Sequence, residues 1–127
     1  MFNYTVASTK SYDQAIADLK QALSVIKFSV CAELDPPSKL KENGVDFQGK
    51  IRILELCNPN YVKAELEKNI KACYFLPFKV VVYEEEGITY IGMPKLTVLI
   101  DLLEDGNLRD VAEAVEGDLK TAIDAAR

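Results

Sequence analysis

No histidine occurs among the 127 residues. That absence excludes more chemistry than any residue present suggests. It removes Ser-His and Cys-His catalysis, the usual zinc sites and imidazole general-base chemistry. Acid–base work falls to Asp, Glu, Lys, Tyr or Cys. Cysteine is scarce: Cys31, Cys57 and Cys73 are odd in number and widely spaced. That argues against a disulfide framework, and no CxxC pair signals a zinc knuckle or a thioredoxin-type site. GxGxxG, P-loop and nucleophile-elbow patterns are missing too. We therefore expect no cofactor and no metal.

Positive charge is in deficit, with 15 basic against 20 acidic residues and a net charge of −5. There is no run of basic residues. Nucleic-acid binders draw affinity from neutralising phosphates with Lys and Arg, so neither a nucleic acid nor an anionic membrane is an expected partner. No stretch approaches the ~20 apolar residues that span a bilayer. Met1-Phe2-Asn3-Tyr4-Thr5 has no basic segment followed by an apolar core, so it does not read as a secretory signal. The expectation is a cytoplasmic protein. Without linkers, repeats or low-complexity segments, residues 1–127 read as one domain.

What is present is a dense alternation of short elements. Phe2 to Thr9 reads as a strand. Ser11-Tyr12-Asp13-Gln14 fits a capping box, followed by a helix with Tyr12, Ile16, Leu19, Leu23 and Ile26 on one face. Phe28 to Leu34 alternates, with Phe28, Val30, Ala32 and Leu34 on one side and Ser29, Cys31 and Glu33 on the other. Asp35-Pro36-Pro37 stops that strand and opens a short helix, which Asn43-Gly44 ends. Gly49 to Cys57 reads as an interior strand, apolar on both faces toward its centre.

Asn58 is a good N-cap and Pro59 a good first helical residue. The helix from Pro59 to about Cys73 is expected to bury Val62, Leu66, Ile70 and Cys73. Phe78–Tyr83 and Ile88–Met93 form a hairpin joined by Glu84-Glu85-Glu86-Gly87. Leu96 to Leu103 is apolar and helical, and Asp105-Gly106-Asn107 breaks it. A last helix from Leu108 carries Val111, Val115, Leu119 and Ile123 on one face. The order is β-α-β-(α)-β-α-β-β-α-α. It predicts a two-layer α+β sandwich with a mixed, mostly antiparallel sheet of about five strands. One sheet face packs on helices; the other needs cover from the C-terminal helices or from a second subunit.

The segment Ile53-Leu54-Glu55-Leu56-Cys57-Asn58-Pro59, followed by the run from Cys73-Tyr74-Phe75-Leu76-Pro77 to Tyr83-Glu84, resembles the family called domain of unknown function 302. Its members resemble this chain in a strand ending in a Cys/Gly-Asn-Pro turn, a helix, an aliphatic-Pro step and a Val-rich hairpin. The resemblance covers nearly the whole chain. It implies a compact α+β domain that tends to dimerise, and it carries over no catalytic residue. The Pro36-Pro37 loop and the glutamate run depart from the family pattern without bearing on function.

The candidate ligand-binding residues are Cys57, Asn58, Glu55 and Tyr61. A thiol at a helix N-terminus meets a favourable dipole, and the free amides there suit an anion. The competing reading makes Cys57 a small buried hydrophobe and Asn58 merely the cap. Glu55 shares a face with Cys57, and burial would raise its pKa. Glu33 sits similarly beside Cys31. The plainer reading exposes these acids or pairs them with Lys50, Arg52 or Lys79. Tyr61 either lines the same site or is a core aromatic. Tyr74-Phe75-Leu76-Pro77-Phe78 forms an aromatic-lined cleft, a dimer contact or simply the core entry of a strand. Glu84-Glu85-Glu86 reads as a solvated hairpin tip.

Three functions stay open. The first is a homodimeric module that binds a small molecule or a protein partner beside the Cys57-Asn58-Pro59 turn. The second is a thiol-dependent enzyme or a sulfur or redox carrier using Cys57. The third is a structural subunit without a site.

Overall fold

Five strands form one sheet in the order β1-β5-β4-β3-β2, and every pairing in it is antiparallel. The strands are β1 Asn3–Ser8, β2 Ser29–Leu34, β3 Lys50–Cys57, β4 Phe78–Glu85 and β5 Ile88–Pro94. The helices are α1 Tyr12–Val25, α2 Pro36–Glu42, α3 Pro59–Lys68, α4 Leu96–Ile100 and α5 Arg109–Ala126. Short 3-10 turns at Ile70–Phe75, Asp101–Leu103 and Gly106–Leu108 complete the computed structural model, which describes residues 1–127. The expected element order holds throughout. No helix is long and apolar enough to cross a membrane.

The period of two decides what each sheet face does. Leu54 and Leu56 of β3, Phe78, Val80 and Val82 of β4, and Ile91 and Met93 of β5 are all buried. They face the helical layer, where α1 packs along α5. Leu19 and Leu23 of α1 and Val115 and Ile123 of α5 are fully buried there. Residues of opposite parity, Ile51, Ile53, Val81, Tyr83 and Tyr90, are only half-buried. Tyr83 stacks on Tyr90 across the hairpin, 5.3 Å between ring centres. Helices thus cover one face, and the chain's own C-terminal helices do not cover the other.

Local chemistry explains most boundaries. The Ser11 hydroxyl accepts from the Gln14 amide at 3.1 Å, as the capping box requires. Gln14 does not reach back; it donates to Asp18 instead. Asp35 caps α2 by accepting from Ser38, and Gly44 follows at φ +74°. The hairpin loop is tighter than its glutamate run suggests. Glu84 and Glu85 belong to β4, and Glu86-Gly87 alone make the turn, both with positive φ.

Two expectations fail for identifiable reasons. The alternation of β2 breaks at a bulge between Val30 and Ala32. Beyond it Glu33, not Leu34, lies on the helical side, opposite Leu54. There its carboxylate meets Lys20 at 2.9 Å and Arg52 at 2.7 Å, and these bonds hold its pKa below the usual range. The second failure is in α3. It stops at Lys68 because Asn69 leaves helical geometry and caps a separate 3-10 turn through Lys71. Ile70 and Cys73 are exposed, Val62 and Leu66 half-buried, and Glu65 is the residue that α3 buries.

Candidate functional site

The Cys57-Asn58-Pro59 turn joins the end of β3 to the start of α3. Asn58 leaves the strand at φ −138°, and its side-chain oxygen accepts from the Tyr61 amide at 3.2 Å. One of the free amides at this helix start is therefore already used. Cys57 is half-buried and lies opposite Ser29, whose hydroxyl donates to the Cys57 carbonyl at 3.3 Å. Cys31, at the bulge, directs its thiol to the Glu55 carbonyl at 3.3 Å.

Parity puts Glu55 and Cys57 together on the uncovered sheet face, where Glu55 stands opposite Lys79. Tyr61 turns the other way. Its hydroxyl donates to Asp118 of α5 at 2.6 Å, and its ring lies 5.9 Å from that of Phe28. The bond to Asp118, helped by burial, raises the Tyr61 pKa. The four candidate residues thus divide: Glu55 and Cys57 on the sheet side, Tyr61 in the helical layer and Asn58 between them as a cap.

An apolar groove of about 320 Å³ lies elsewhere. It is walled by the run Tyr74-Phe75-Leu76-Pro77-Phe78, by Met93 and Pro94 at the end of β5, by Leu96 and Leu99 of α4, and by Val115 and Leu119 of α5. Its two charged lining residues are Lys79 and Glu116. Glu116 is 9 % exposed, and its Oε1 accepts from the Thr97 hydroxyl at 2.9 Å and the Thr97 amide at 3.3 Å. Its other oxygen is 3.7 Å from the Lys120 ammonium. The aromatic run is visible in the sequence as a cleft wall. Met93, Leu99 and Glu116 are not, because each sits inside a regular element whose pattern says only helix or strand.

A two-layer α+β sandwich with a wholly antiparallel sheet and helices on one face is the class that this geometry defines. The family model described as domain of unknown function DUF302 matches residues 4–126. A crystal structure of an uncharacterized conserved DUF302 protein from Bacillus stearothermophilus is 38% identical, with a TM-score of 0.96. The match covers 100% of this chain and 99% of that one. No curated protein matches. The chain belongs to the DUF302 family.

Proposed function

We propose that the chain is a homodimeric binding module of the cytoplasm, and that its ligand seats in the groove at Tyr74–Phe78. The groove carries this reading. It is concave and mostly apolar, with Lys79 and Glu116 as its charged groups. Its volume is at the small end of the roughly 300–1,000 Å³ typical of ligand sites. Such a site suits a small amphipathic molecule or one apolar side-chain cluster of a protein partner. The Cys57-Asn58-Pro59 turn, with Glu55 and Tyr61, is a second place for such contacts, but its residues point into different layers.

The dimer rests on the half-covered row Ile51, Ile53, Val81, Tyr83 and Tyr90. A second copy laid on that face would bury what the helices leave open. Light scattering should find a dimer at micromolar concentration and a monomer for Ile53→Glu; a monomeric parent protein would remove the dimer.

The binding reading is tested with 1-anilinonaphthalene-8-sulfonate, an apolar anion. Resonances of Tyr74, Phe75, Leu99 and Leu119 should shift on its addition, and Leu99→Arg should abolish binding. Shifts confined to residues 55–61 would move the site to the turn. Alkylation rates test thiol chemistry separately: Cys57 should react slowly near neutral pH, and fast, pH-shifted reaction there would favour the thiol enzyme.

A further inference from the structure

The one side chain that α3 buries is an acid. Glu65 is 1 % exposed, and neither of its carboxylate oxygens has a hydrogen-bond partner. The polar residues four positions to either side are satisfied. One turn earlier, Tyr61 donates to Asp118 at 2.6 Å; one turn later, Asn69 donates to Asp105 at 3.0 Å. Spacing of four residues puts Tyr61 and Glu65 on one side of α3, and Asn69 follows as its C-cap. One polar bond thus ties the start of α3 to α5, another ties its C-cap to the loop before α5, and an orphaned carboxyl lies between them.

Charges on every element packed against α3 are engaged elsewhere or exposed. On α5, Asp118 holds Tyr61, Glu116 holds Thr97 and faces Lys120, Asp124 holds Tyr4, and Arg109 pairs with Asp101 and Glu113. Asp110 of α5 is exposed. Asp105, before the Gly106–Leu108 turn, accepts from Asn69 and from the Asn107 amide. Lys71, Cys73 and Tyr74 of the Ile70–Phe75 turn are exposed. Within α3, Lys63 pairs with Glu67 and Lys68 is exposed.

An ionised carboxylate in that seam would lose its hydration without gaining a donor or a cation. Burial accordingly pushes the Glu65 pKa up to about 7. The chain leaves α3 through Asn69 into the Ile70–Phe75 turn, whose last residues, Tyr74 and Phe75, wall the groove. We propose that Glu65 is a pH-sensitive latch: protonated, it lets α3 seat on α5, and ionised, it loosens α3 and the attached Tyr74-Phe75 wall. The consequence for ligand access rests on the binding reading above; the latch itself does not.

Amide hydrogen exchange on the intact protein between pH 6 and 8, corrected for intrinsic rates, tests this. Protection of residues 62–75 should fall about tenfold over that range, while residues 78–83 of β4 keep theirs. In Glu65→Gln, protection of 62–75 should not change with pH. Constant protection of 62–75 in the parent protein, or an equal fall in Glu65→Gln, would overturn the latch. Should Glu65→Gln not fold, the parent's contrast between the two segments decides alone. Failure of 1-anilinonaphthalene-8-sulfonate to bind, with the exchange contrast intact, would remove the binding reading and leave the latch.

Discussion

Of the three helices that pack against α5, α1 and α3 do so with opposite chemistry. α1 buries Tyr12, Ala15, Ile16, Leu19 and Leu23; α3 buries only Glu65. Polar bonds at the α1 end are peripheral, with Lys10 bridging Asp18 at 2.7 Å and reaching the Ala126 carbonyl at 2.9 Å. At α3 the apolar contacts are only partial, with Tyr61, Val62 and Ala64 half-buried against the core, and polar bonds from Tyr61 and Asn69 stand beside them. One helix is held by the hydrophobic effect, which pH scarcely alters. The other combines half-buried apolar contacts with polar bonds and one buried, unpartnered carboxyl group. The difference separates a scaffold from an element free to respond, and the responsive element leads into the groove wall.

The widest separation between the two should come from core truncation. Leu19→Ala, at a fully buried position, should cost about 2–5 kcal/mol at any pH, read by denaturant unfolding. Leu66→Ala, half-buried on α3, should cost less than half as much. Equal costs would mean that α3 is as firmly packed as α1, and the comparison would fail.

Next comes the pH dependence of Glu65→Gln. In the parent protein the folded pKa of Glu65, about 7, lies above the ordinary 4.5 of an unfolded glutamate. Proton binding therefore favours the fold. The stability it supports is complete below about pH 4.5 and lost as pH rises through about 7. The loss amounts to about 3 kcal/mol at most. The melting temperature of Glu65→Gln relative to the parent should thus climb between pH 5 and 7.5 and then level. A flat difference would contradict the orphaned carboxyl.

Tyr61→Phe should have a smaller effect, about 1–2 kcal/mol, because it removes one bond to a partly buried carboxylate and keeps the ring against Phe28. It should also raise exchange in α3 while leaving α1 unchanged. Smallest of all is Lys63→Ala, which removes an exposed pair with Glu67 and should cost under about 0.5 kcal/mol. A larger loss there would show that surface charge, not the seam, holds α3.

The same contrast explains what the sequence could disclose. α1 was legible because Ile16, Leu19 and Leu23 repeat at helical spacing and nothing competes. The Asn58-Pro59 start of α3 was equally plain, since capping is local chemistry. Its inner face was not. Val62, Leu66 and Ile70 repeat at helical spacing too, and no periodicity argument places a glutamate inside in preference to leucine. What turned the helix was tertiary: Tyr61 and Asn69 bond to acids on and just before α5, and Glu65 follows them inward. The β2 bulge escaped for a similar reason, because Arg52 and Lys20, distant in sequence, make the helical side of that exposed edge a place for Glu33. The groove was half legible. Its aromatic wall is a contiguous run, whereas its floor comes from three elements that only the fold assembles.

If Glu65 is the latch, α3 seats on α5 with a carboxylic acid and not a carboxylate in its buried face. Carbon-detected NMR titration of the Glu65 side-chain carboxyl in the intact protein reads that directly. The expected midpoint is near pH 7. A midpoint near 4.5 would show Glu65 ionised at neutral pH and would contradict the latch.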